Sequence, residues 1–220
     1  EYRSGPTMAA AERMRITVTG SQTHGAVPWK GVDPIAVSSQ IINSLQTIVA
    51  REVDITQVPA IVTIGSIHGG VRNNIIPEEV VMEGTIRTFN DKVRQDIHES
   101  IRRKAEMIAS ASNASAKVEI FSDIAKVTFN EPSLTEKMVP SLERVYGKDN
   151  VKITPFITGA EDFPFFTDHA PGLYFFNGVA TDPSKAAPNH SPYFFADEKN
   201  LKYGMKALTQ LAVDYLYLNK

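Results

Sequence analysis

Cysteine is absent from all 220 residues, which excludes disulfides, thiolate metal sites and a cysteine nucleophile within them, while the redox compartment stays open. Long apolar runs are missing too. None approaches the roughly 20 residues of a membrane-crossing helix, and the opening Glu-Tyr-Arg-Ser-Gly-Pro has no apolar signal core. The formal charge is only −2, without the basic excess that nucleic-acid binding demands, so neither nucleic acid nor a membrane is an expected partner. No Gly-x-Ser-x-Gly elbow occurs, because Gly65-Ser66-Ile67-His68-Gly69 has its serine one position early. That argues against a serine hydrolase. Internal repeats and low-complexity tracts are likewise missing.

What is present is globular: 42% hydrophobic and 22% charged residues, enough for one large or two small domains. From Arg13, the alternation of Met14, Ile16 and Val18 with Arg15, Thr17 and Thr19 has the period of a half-buried strand, ended by Gly20. Asp33-Pro34 predicts a helix start, and Ile41, Leu45, Ile48 and Val49 form one apolar stripe on it to near Glu52. The β-branched run 60–67 and the alternation Val80, Met82, Gly84, Ile86 predict two strands. A second helix follows Asn90-Asp91 with Val93, Ile97, Ile101, Ala105 and Ile108 on one stripe, and His98 on it is expected to face solvent. Residues 117–121 alternate again. The order β-α-β-β-α-β between about residues 13 and 125 matches the ferredoxin-like motif, two helices on one face of a four-stranded antiparallel sheet.

From Lys126 the pattern predicts a helix over 134–146, strands near 151–157 and 173–179, and a long C-terminal helix with Leu201, Met205, Leu208, Ala212 and Tyr215 as its buried stripe. The fold class expected is therefore α/β, with the α+β ferredoxin-like domain (13–125) inserted in an incomplete α/β domain formed by 1–12 and 126–220. Two strands are too few for a sheet covered on both faces. The start at Glu1, with Gly5-Pro6 ahead of an alanine run, reads as the interior of a longer chain.

Four segments carry candidate chemistry. In Gly20-Ser-Gln-Thr-His24-Gly-Ala-Val-Pro28-Trp-Lys-Gly31-Val-Asp33-Pro34, backbone punctuators set the loop and leave the His24 imidazole available, either to hydrogen-bond the loop or to act on a substrate. Asn74, before Ile75-Ile76-Pro77, reads by itself as turn chemistry, and Arg87 on the polar side of its strand as a solvated surface charge. Glu161-Asp162 in Gly159-Ala160-Glu161-Asp162-Phe163 precede a short aromatic helix, where negative charge suits the dipole. His190 in Asn189-His190-Ser-Pro192 is a plain loop residue or a metal ligand.

Taken together these segments resemble the M20 family of metal-dependent peptidases and amidohydrolases, in the branch that cleaves N-acyl amino acids, over nearly the whole chain. The resemblance implies that the ferredoxin-like segment is a lid and dimerisation domain, and that the rest is the C-terminal part of the catalytic domain. It implies a catalytic His24 that reaches the partner subunit's site to stabilise an oxyanion, substrate ligands Asn74 and Arg87, a substrate-holding backbone edge at Gly159 and Ala160, and His190 as the last metal ligand. The implied activity is hydrolysis of an N-acyl amino acid or small peptide, with a divalent ion (zinc or manganese, cobalt or nickel as alternatives) and a homodimer joined through the lid. The other ligands and the catalytic glutamate are expected upstream of Glu1, so this stretch alone is expected to be inactive, and a cytoplasmic location is expected, with export the alternative. The competing reading is a dimerisation or binding module without chemistry. An RNA-binding ferredoxin-like domain fits poorly, because residues 60–67 hold no aromatic side chain to stack on bases.

Overall fold

Asp33 starts the first helix because its carboxylate accepts from the amides of Ile35 (2.8 Å) and Ala36 (3.4 Å), and Pro34 fits the first turn. In the computed structural model, which describes residues 1–219 apart from the side chains of 123, 124 and 183, the strands are β1 (Gly5–Met8), β2 (Ala10–Thr19), β3 (Thr23–His24), β4 (Ala60–Gly69), β5 (Ile75–Ile76), β6 (Glu79–Thr88), β7 (Ser115–Ala125) and β8 (Thr128–Asn130). The helices are α1 (Pro34–Glu52), α2 (Asp91–Ala111), α3 (Pro132–Tyr146), α4 (Pro164–Thr167) and α5 (Glu198–Leu218). Lys220, the end of the expected 126–220 segment, lies outside the described residues.

Two compact units result, one comprising 8–127 with 158–164, the other 1–7, 128–157 and the chain from Phe165 onward. In the first, β4, β6, β2 and β7 lie side by side in that order, every neighbour antiparallel. This is the ferredoxin-like arrangement. The helix-facing positions of the strands alternate as predicted: Met14, Ile16, Val18, Met82 and Ile86 are buried against Ile41, Leu45 and Ile48 of α1 and Ile97 and Ile101 of α2. The opposite sheet face carries Arg13, Arg15 and Thr63 into solvent, with Arg15 paired to Glu83 at 2.6 Å.

β2 starts earlier than its hydrophobic alternation, and the residue just before Arg13 alters the picture of this domain. Glu12 shares the inward parity of Met14 and is 1% exposed, where the β2/β7 register slips between Ala11 and Arg13. Its carboxylate meets His98 Nε2 at 2.6 Å and Arg94 at 3.8 Å, both on α2. His98 is therefore not solvated as expected. Spaced one turn after Arg94, it turns inward to a buried charge. Burial pushes the Glu12 carboxyl up, but hydrogen bonds from His98 and Ser122 and the charges of His98 and Arg94 outweigh it and hold the group below the ordinary 4.5.

The second unit departs further from expectation. No strand forms at 151–157 or 173–179; instead Tyr2 bridges singly to Ile153 and Phe175, while β1 pairs with β8 in a two-stranded sheet. Tyr2 N donates to Lys152 O (3.0 Å), Thr154 N to Tyr2 O (2.9 Å) and Phe176 N to Glu1 O (2.8 Å). Pairing one residue at a time satisfies these groups without a ladder. α5 packs on α3, and the stripe expected to be buried is not: Leu201, Met205, Leu208 and Tyr215 are 48–71% exposed, Ala212 is exposed, and Ala207 alone is fully buried among the described residues of α5. One neighbouring helix covers only a narrow strip of another.

Candidate active-site residues

The His24 loop is held from both sides. β3 pairs antiparallel with β5, setting Thr23 opposite Ile76 and His24 opposite Ile75, and Gly25 N donates to Asn74 O at 2.8 Å. Ser21 and Val32 bridge the loop's base. There the backbones approach so closely that a Cβ on Gly20 would stand 2.2 Å from Val32 O, and one on Gly31 2.4 Å from Ser21 O. Within this frame Val27 N donates to His24 O (2.9 Å), closing a turn, and Ala26 N donates to the ring Nδ1 of His24 (3.0 Å). The imidazole is exposed, and its Nε2 has no partner among the described residues. The loop-bonding reading of His24 therefore holds for one ring nitrogen, and the other is left facing out.

Asn74 and His24 form one unit through the β3–β5 clamp. Arg87 does not belong to it. Along β2 and β6, Thr19 faces Glu79 at the end from which the His24 and Asn74 loops emerge, whereas Ala11 faces Arg87 at the other. Eight residue steps along β6 separate Glu79 from Arg87, about 26 Å at roughly 3.3 Å per residue. The resemblance implies Asn74 and Arg87 as ligands of one substrate; within one chain the length of β6 sets them at opposite ends of the sheet.

Arg87 has company at its own end. Ala9, two residues before Ala11, donates to Gly159 O at 3.1 Å, so the Gly159-Ala160 edge joins the sheet on the Arg87 side. The guanidinium is half-buried and tethered, its Nη1 donating to Thr85 Oγ1 and to Ile86 O (3.1 Å). Glu161 and Asp162 follow, ahead of the four-residue α4.

His190 belongs to the other unit. Its φ of 66° places it in the left-handed region, inside a turn in which Ser191 N donates to Pro188 O at 3.2 Å. A non-glycine residue held there is sparsely populated backbone of the sort that gathers at functional positions. Among the described residues no group of three or more His, Asp or Glu could hold a metal ion. A tetrahedral site needs at least three protein ligands, so these residues by themselves do not fit a metal centre.

Two features went unread in the sequence. The buried Glu12 was signalled by its parity with Met14, Ile16 and Val18. The Ala26 amide has no signature beyond its place two residues after a loop histidine.

A family model described as a peptidase dimerisation domain matches residues 11–113. Thermostable carboxypeptidase 2 of Saccharolobus solfataricus is 36% identical over 97% of this chain and 53% of its own length. The N-acetyl-L-cysteine deacetylase of Bacillus subtilis is 36% identical over 89% of this chain and 45% of its own. A solved Bacillus subtilis structure, described as a dinuclear metal-binding peptidase from the M20 family, superposes with a TM-score of 0.75 at 28% identity, covering 98% of this chain and 52% of that one. The chain spans about half the length of the curated relatives it matches.

Proposed function

Because the chain belongs to the M20 peptidase family, we propose that it serves the hydrolysis of an amide bond in N-acyl amino acids or small peptides, at a site assembled from two subunits. The observation that carries the proposal is the separation of the His24–Asn74 clamp from Arg87 and the Gly159 edge by the length of the sheet. Arg87 lies about 26 Å along β6 from Glu79, the end from which the His24 and Asn74 loops emerge, too far for one small substrate to touch both ends. Across a twofold axis, one subunit's His24 and Asn74 can meet its partner's Arg87, Gly159 and Ala160. The relatives' names, a carboxypeptidase and a deacetylase, fit a substrate with an amide carbonyl beside a free carboxylate.

In this reading Arg87, anchored through Nη1, grips the substrate carboxylate, and the Gly159-Ala160 backbone lies along the substrate. Asn74 donates from the other subunit. His24 presents its Nε2 to the carbonyl oxygen as negative charge develops there, which lowers the barrier by stabilising what exists only in the transition state. A divalent ion, zinc or manganese with cobalt or nickel as alternatives, would supply Lewis acidity, and His190 would be one ligand with the rest lying beyond the described residues. The dimer forms through the ferredoxin-like unit, whose edge strand β4 exposes Ile61 and Ile67.

Mixed dimers test the proposal. In the protein expressed from its full coding sequence, His24→Ala and Arg87→Ala homodimers should each lose most acyl-amino-acid hydrolysis, and co-expression should restore it to about a quarter of wild type, because half the dimers then carry one intact site. Failure to restore any activity would sink the two-subunit site. The second reading, a dimerisation module without chemistry, draws on the lack of a metal-binding trio among the described residues. It predicts hydrolysis unchanged in both single variants.

A further inference from the structure

We propose that the Ala26 amide locks His24 as the Nε2–H tautomer, so that an exposed imidazole presents one preset hydrogen-bond donor. The use assigned to that donor rests on the two-subunit reading above, but the lock is a property of this loop alone. The argument starts from the direction of one hydrogen bond. A backbone N–H can only donate, so the Ala26 amide at 3.0 Å requires a lone pair on His24 Nδ1. An imidazole with an unprotonated Nδ1 is neutral and carries its proton on Nε2. That nitrogen has no partner among the described residues.

The surroundings make the lock stiff. His24 is fixed on the backbone by the ladder to Ile75 and by Val27 N on its carbonyl, and the next residue is tied to Asn74 O at 2.8 Å. Gly25 sits so close to that strand that a Cβ would lie 3.2 Å from Asn74 O. An exposed side chain ordinarily keeps its rotamer freedom, and a ring fixed at the surface gives up that entropy before any ligand arrives. The same clamp sets the Asn74 side chain's starting point relative to the ring. Ala26 is thus a positioning residue, acting through His24 by its main chain, which is why its methyl side chain carries no chemistry. A donor oriented in advance needs no reorganisation when the oxyanion forms.

The test uses the chain as it stands for the spectroscopy and the full-length protein for kinetics. Nitrogen-15 NMR of the histidine ring should show His24 as a single Nε2–H tautomer, with Nδ1 shifted as a hydrogen-bond acceptor. Replacing the Gly25–Ala26 amide by an ester, with L-lactate at position 26, removes the N–H while keeping the shape. It should return His24 to a mixture of tautomers and lower kcat by about tenfold with KM unchanged, since the donor acts in the transition state. Ala26→Pro removes the same N–H by ordinary mutagenesis but strains the turn, whereas Ala26→Gly keeps the N–H and should keep the single tautomer. A mixed population in the unmodified chain, or an ester variant with an unchanged ring spectrum, would overturn the lock. A locked ring whose His24→Ala variant retains full kcat would instead overturn the use assigned to it.

Discussion

Helices α2 and α5 are each 21 residues long and each carries an apolar stripe, yet they end in opposite states. On α2, Ile97, Ile101, Ala105 and Ala109 are fully buried, because a four-stranded sheet and α1 lie beneath them. On α5 most of the large apolar residues stay exposed, and Ala207 is the one fully buried among the described residues of the helix. Amphipathic spacing states which face a helix offers; burial depends on whether a second layer exists to receive it. Stability in the described chain should accordingly concentrate in the sheet-bearing unit.

Substitutions can break that comparison. Leu45→Ala, at a fully buried position of α1 inside the closed core, should cost about 3–5 kcal/mol through lost transfer energy and a residual cavity. A urea titration reads it directly, and a loss below about 1 kcal/mol would mean that the core is not packed as described.

Glu12→Gln comes next, at about 3 kcal/mol, because it leaves His98 and Arg94 facing a neutral group in a buried place. Its pH signature separates it from a packing defect. The folded carboxyl lies below its unfolded value, so its stabilisation is fully present above about pH 4.5 and is lost as pH falls through the folded value. The wild-type chain should therefore weaken more steeply in acid than Glu12→Gln, and parallel acid limbs would refute the assignment.

Much of the first unit is legible in sequence because its signals are local. The Asp33 cap, Pro34 and the alternation in β2 and β6 each act within a few residues, and so helix and strand limits come out nearly as expected. Long-range pairing is not local. The Glu12–His98 contact joins residues 86 apart, and neither member carries a sign of the other. The division of the candidate site lay in between: His24, Asn74, Arg87 and His190 are visible as residue types in motifs, whereas the placing of His24 and Asn74 at one end of the sheet and Arg87 at the other needs the register of β2 against β6. The missing strands at 151–157 and 173–179 follow the same logic, since a strand exists only where a neighbouring backbone runs long enough to pair with it.

The smallest effects sharpen the comparison within α5 itself, at two adjacent residues. Ala207 is 0% exposed and Leu208 is 64% exposed. Ala207→Leu inserts three carbons where α5 meets α3 and should destabilise by about 1–3 kcal/mol. Leu208→Ser removes a large apolar side chain already in water and should change stability by no more than about 0.5 kcal/mol. Both are read from the same urea titration, with the slope as an internal control. If Leu208→Ser proved the more costly of the two, α5 would be presenting its other face to α3, and the contrast with α2 would vanish.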